Sequence, residues 1–133
     1  MAMAEEEARE AYFEMQAIEQ QMKQLSQQIM ILENQLNEFQ NSIEAIGSLK
    51  SGKGGEVFVP ISSGIYTKAE LKNSNDFIVN VGANVAVEKS GEAVVEILRK
   101  QVEEMNNYRE QMLKGMQLLE SRSREIQQKI IGG

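Results

Sequence analysis

A chain of 133 residues is about one domain of sequence, and with no cysteine and no histidine it excludes disulfides, thiolate chemistry and the commonest general base and neutral metal ligand. Its formal net charge of -6 has the wrong sign for the basic footprint of a nucleic-acid binder. The longest apolar run in the helical segments, Ile29-Met30-Ile31-Leu32, is far short of the roughly 20 residues a bilayer span needs. The start, MAMAEEEARE, is acidic and lacks the layout of a signal peptide, so the expectation is a cytoplasmic protein that meets neither membrane nor nucleic acid.

The first long element shows itself by spacing. Apolar residues run Met15, Ile18, Met22, Leu25, Ile29, Leu32, Leu36, Phe39, Ile43, Ile46 in alternating steps of three and four, and Ala11, Ala8 and Ala4 extend the rule backwards. A heptad pattern this long predicts a coiled-coil helix. It covers residues 5–47 and stops near Gly47, glycine being a common helix terminator. About 40 residues at 1.5 Å each make an arm ~60 Å long.

Gly47-Ser48-Leu49-Lys50-Ser51-Gly52-Lys53 matches the first seven positions of a phosphate-binding loop. The eighth is Gly54 rather than Ser or Thr, so the magnesium-binding hydroxyl is missing. The loop also leaves a helix and enters a strand, the reverse of the order that aims a helix N-terminus at phosphate. The segment is expected to be a basic, solvent-facing linker, with no cofactor.

Residues 56–89 change character, being rich in β-branched residues and punctuated by Gly, Asn, Ser and the single proline. This is the pattern of short strands and tight turns. Val57-Phe58-Val59 opens one strand, and Pro60, lacking an N–H, belongs at an edge or strand end. Ser62-Ser63-Gly64 turns the chain, and Ile65 to Leu71 returns. After the polar loop Lys72 to Asp76, Phe77 to Val81 and Val85 to Glu88 form a second hairpin around Gly82-Ala83-Asn84. Two hairpins alone are marginal in water and leave unpaired strand edges. They are therefore expected to pair with β-elements of other subunits, through the apolar positions Val57, Val59, Ile65, Leu71, Phe77, Val79, Val81, Val85 and Val87.

Ser90 is a good N-cap for a second helix, with Glu92 in its first turn. Its stripe runs Val95, Leu98, Val102, Met105, Arg109, Met112, Met116, Leu119, Ser123, Ile126, Ile130, over residues 91–131. Folded back antiparallel, one register satisfies the whole length: Ile46 meets Val95, Leu36 meets Met105, Leu25 meets Met116, Met22 meets Leu119 and Met15 meets Ile126. The fold class is thus α+β, mainly α, a two-helix coiled coil joined by two hairpins in one unit of residues 1–133. Arg109 and Ser123 interrupt the stripe at positions where a half-exposed seam tolerates a polar residue, and polar seam residues can also set register. Gly115 weakens the helix by roughly 1 kcal/mol relative to Ala.

The order helix, two hairpins, helix resembles the prefoldin family, in its archaeal alpha-subunit form. The specific residues are Val59-Pro60-Ile61-Ser62-Ser63-Gly64-Ile65-Tyr66-Thr67-Lys68-Ala69-Glu70 and Val81-Gly82-Ala83-Asn84-Val85-Ala86-Val87-Glu88-Lys89. They are similar to the family's Val-Pro-x-Gly-x-Gly and Val-Gly-x-Gly segments, with Ser62 and Asn84 standing where the pattern has glycine. The resemblance implies an ATP-independent holdase chaperone, neither enzyme nor metalloprotein. It implies two alpha and four beta subunits assembled through their hairpins into a β-barrel platform, with coiled coils that grip unfolded proteins at their ends and hand them to a group II chaperonin. The alternative is a filament-forming relative of the gamma type, with a structural role.

At the free end of the arms the small residues Ala4, Ala8 and Ala11 face Ile126, Ile130 and Ile131, with Tyr12 and Phe13 beside them. Small residues opposite large ones are expected to leave apolar surface open, and such surface marks interaction sites. Met15 and Met22 add adaptable, polarizable area. The expected client-binding residues are Tyr12, Phe13, Met15, Ile126, Ile130 and Ile131.

Overall fold

The computed structural model describes residues 4–51, 55–72 and 75–132. Helix α1 spans Glu5–Ser51, strands β1 to β4 span Gly55–Ser62, Ile65–Leu71, Asp76–Gly82 and Val85–Ser90, and helix α2 spans Gly91–Gly132. The class is the expected one, two long helices with two antiparallel hairpins between them in sequence. By internal packing the chain divides into two compact units, residues 1–36 with 104–133 and residues 37–103.

In the first unit the two helices meet along the predicted stripes. Ala11, Ile18, Ile29, Leu32, Leu36 and Ile126 are buried, each one a stripe position. The cross-helix contacts fall within one turn of the predicted pairs. A Cβ built on Gly115 would lie 3.5 Å from Leu25, and the Ser123 hydroxyl donates to Met15 Sδ at 3.7 Å. Arg109, the charged residue in the stripe, directs Nε to Glu33 Oε1 on the facing helix at 3.1 Å, its side chain partly exposed. The stem lies on the seam and the head ends on a carboxylate at its rim, so the substitution in the stripe is tolerated without an unpaired buried charge.

In the second unit α1 continues through Gly47 to Ser51, past the expected stop. Gly47 is not held in the left-handed conformation that ends helices, and Lys50 gives the extra turn a tertiary anchor. Its side chain lies against Gly91 and Phe77, with Nζ 3.6 Å from Glu92 Oε1. Contacts of this kind override a propensity of about 1 kcal/mol. Of the expected linker, Gly52, Lys53 and Gly54 lie outside the described residues, as do Asn73 and Ser74 of the polar loop. Ile46 and Val94 are buried, and Val95, the stripe residue, is half-buried and lines one groove with Ile43 and Gly47 of α1.

The hairpins form two separate two-stranded sheets among the described residues, β1 with β2 and β3 with β4. Val57 pairs with Ala69, Val59 with Thr67 and Pro60 with Tyr66, and the register shifts between Pro60 and Ser62. The shift falls where proline has no N–H to give to the ladder. Ser62 pairs with Ile65 as a strand residue, so nothing there requires the family's glycine. The first turn instead rests on Gly64, at φ 77°. In the second hairpin Ala83 and Asn84 have φ of 52° and 61°, the paired left-handed values of a type I′ turn. Asn84 suits that conformation and Ala83 does not; an L-residue with a Cβ is held there at a cost of roughly 1–2 kcal/mol. Asn80 Oδ1 accepts the Gly82 N–H at 2.9 Å and braces the entry to the turn.

Ser90 closes the hairpin and caps α2, its Oγ accepting the Ala93 N–H at 3.2 Å. The Gly91 N–H donates to the Asn75 carbonyl at 2.8 Å.

Gly115 is the position where the helix can be improved without repacking. The added methyl meets Leu25 at ordinary contact distance. Gly115→Ala is expected to raise stability by about 1 kcal/mol, read as a higher midpoint in urea unfolding followed by helical ellipticity.

Candidate interaction surfaces

The end of the first unit is built on a packed cluster. Ala11, Ile18 and Ile126 form its centre, with Met15, Met22, Leu119 and Ile130 against it. Across this cluster Arg122 Nε reaches Glu14 Oε1 at 2.8 Å and Arg122 Nη1 reaches Glu125 Oε2 at 3.2 Å. The hydrogen bond that Arg122 donates to Glu14, then the one to Glu125, raises the pKa of the guanidinium above its ordinary value. The Arg122–Glu14 pair bridges the two helices beside the seam.

The six residues expected to bind clients divide sharply. Tyr12 and Phe13 are exposed, and Ile131 is 86% exposed. Met15 and Ile130 are half-buried against the cluster. Ile126 is 2% exposed, the most buried side chain among those described, which corrects its assignment as surface. Small opposite large does not leave this end open: Ile126 is enclosed in the cluster with Ala11 and Ile18. What remains outside is a shallow apolar groove bounded by Tyr12, Met15, Ile130 and Ile131. A second groove lies on the other side of the Tyr12 ring, bounded by Arg9 and Phe13.

The nine hairpin positions also divide. Val57, Leu71, Phe77, Val79 and Val87 are half-buried, while Val59, Ile65, Val81 and Val85 are exposed. Phe58, Ile61, Tyr66 and Ile78 are exposed as well, Ile78 at 80%, and were not among the expected positions. In the pairing register Phe58 and Tyr66 lie on the opposite face of the first hairpin from Val57 and Val59, and Ile78 opposite Val79 in the second. The signal was present in the sequence: strands apolar on both faces read as strands destined to be covered on both sides. On α1 and α2, Met30, Ile31, Tyr108, Leu113 and Leu118 are exposed apolar residues off the stripes.

Among the described residues, no group of three or more His, Cys, Asp or Glu side chains is arranged to hold a metal, and no helix is long and apolar enough to cross a membrane. Lys50, in the glycine-rich segment, is engaged with Glu92.

Long helices that meet at a packed seam, with two antiparallel hairpins between them in sequence, define the class of fold. The Prefoldin subunit family model matches residues 18–131. The prefoldin subunit alpha of Thermofilum pendens is 33% identical over 98% of this chain and 99% of its own length. That of Methanosarcina mazei is 32% identical over 96% and 97%. A chain in the cryo-EM structure of filamentous PFD from Methanocaldococcus jannaschii superposes with a TM-score of 0.73 at 20% identity, over 84% of this chain and 93% of that one. The chain belongs to the prefoldin family of chaperone subunits, whose members assemble with other prefoldin subunits.

Burial assigns opposite roles to two neighbouring isoleucines. Ile126→Ala is expected to destabilise the chain by about 2–5 kcal/mol through the lost side chain and the cavity left behind. Ile131→Ser is expected to stay within about 0.5 kcal/mol, as exposed substitutions do. Urea unfolding of the two variants checks the contrast.

Proposed function

We propose that this chain is the alpha-type subunit of a cytoplasmic, ATP-independent holdase, which captures unfolded proteins at the end of its helical arms. The observation that carries the proposal is the pairing of a tightly packed cluster at that end with large apolar side chains left outside it, Tyr12, Phe13 and Ile131. A stable scaffold that keeps aromatic and aliphatic surface in water supports transient contact with exposed apolar segments. Assembly runs through the hairpins with beta subunits, two alpha to four beta. A platform carrying several weak grips raises the effective concentration at each one. Delivery to a group II chaperonin completes the role; no catalytic residue is assigned. The alpha relatives, about one-third identical over nearly the whole chain, favour this reading over a filament former, whose support is a shared fold at 20% identity.

Two experiments test it. Tyr12→Ser, Phe13→Ser and Ile131→Ser together should leave helical content unchanged and abolish suppression of aggregation of a denatured test protein; full protection by the triple variant would remove the arm ends as the gripping site. For assembly, Val81→Asp with Val85→Asp places charge on two exposed hairpin positions. Native mass spectrometry of the variant with a beta subunit should show only small species, because burying an unpaired carboxylate is strongly unfavourable.

A further inference from the structure

The groove at the end of the arms has a counterpart further along the same flank of the coil. Tyr12 and Ile131 bound one groove, so they are level with each other across the two helices. Moving 18 residues inward along each helix, in opposite chain directions, leads from Tyr12 to Met30 and from Ile131 to Leu113. In an antiparallel coil of constant register the second pair is again level. Eighteen residues are five turns of an α-helix. In the seam's seven-residue repeat, Met30 takes the position that Gln16 holds at the end groove, and Leu113 takes that of Gln127. Gln16 and Gln127 both line that groove. Glu14 and Arg122, which bridge the helices at 2.8 Å, occupy the opposite flank in the same repeat.

Both members of the inner pair are exposed, Met30 at 62% and Leu113 at 38%. Neither belongs to the stripe that makes the seam, and both keep apolar surface in water. Two side chains are far too little surface for a folded partner, since specific protein–protein interfaces bury about 1,200–2,000 Å². A chain already held in the end groove is different, because its second contact is intramolecular and a small patch suffices. The interval is ~27 Å at 1.5 Å per residue of helix, which an extended polypeptide covers in about eight residues at 3.3 Å each.

We infer that Met30 and Leu113 form a second anchor for the polypeptide gripped by Tyr12 and Ile131, so that each arm selects extended segments carrying two apolar side chains about eight residues apart. This rests on the holdase reading of the arm ends and adds to it a length and a direction. The client lies along one flank of the coil, parallel to its axis.

The test uses the full-length chain and labelled, unstructured Gly/Ser/Gln peptides in fluorescence anisotropy. One peptide carries a single Ile-Leu pair, one carries two such pairs eight residues apart, and one carries two pairs four residues apart. The eight-residue spacing should bind about tenfold or more tighter than the other two. Met30→Gln with Leu113→Gln should bring it down to the single-pair affinity, with single-pair binding and helical content unchanged. Equal affinity for the two spacings, or an eight-spaced peptide unaffected by the double substitution, overturns the second anchor while single-pair binding still supports the grip at the arm ends. If Tyr12→Ser with Ile131→Ser leaves single-pair binding intact, or no peptide binds, the end grip fails and the second anchor fails with it.

Discussion

Everything in this subunit depends on a seam one side chain wide. Each helix buries a narrow stripe against the other, and each fully buried Leu or Ile in it contributes about 1.5–3 kcal/mol. The remaining surface of both helices faces water, which explains a composition dominated by Gln, Glu, Asn and Lys between the stripe positions. A seam of this kind has no third layer to hide its errors. Its polar members are therefore given partners, Arg109 by Glu33 at the rim and Ser123 by Met15 within the seam, and its end is filled by the cluster around Ala11, Ile18 and Ile126.

The hairpins obey a different economy. A two-stranded sheet is marginal by itself, and each of these has free edges and apolar side chains on both faces: Val59 and Phe58 on the first, Val81 and Ile78 on the second. Under the assembly proposed above, neighbouring subunits would complete such strands. The subunit thus divides its chemistry between a packed seam in the helices and a β-element that keeps apolar surface and strand edges open.

The seam was legible in the sequence because a three-four alternation over twelve positions of α1, Ala8 to Ile46, has one physical solution. The hairpins were legible for a related reason, since strand alternation and turn residues coincide at Ser63-Gly64 and at Ala83-Asn84. Three features were not. The extra turn of α1 beyond Gly47 depends on Lys50 meeting Gly91 and Phe77, residues about 30–40 positions away that no local pattern connects. The depth of Ile126 at the chain end is a property of the whole cluster that covers it, Ala11 and Ile18 with Met15, Met22, Leu119 and Ile130, and not of any single opposing residue. Ile78, Phe58 and Tyr66 lie on the second face of their strands, which a one-face alternation does not mark although it is apolar too.

The junction between β4 and α2 contains no connecting residue at all. Ser90 is the last residue of the strand and, through its hydroxyl, the cap of the helix. Gly91 follows at once, tied to Asn75 and so closely approached that an added Cβ would sit 2.6 Å from Lys50 and 3.0 Å from Phe77. Hinges need a few residues free to change their backbone angles, and here there are none. The second hairpin and the root of α2 share a joint with no linker, so a swing of one against the other has to break the Ser90 cap or the Gly91–Asn75 hydrogen bond.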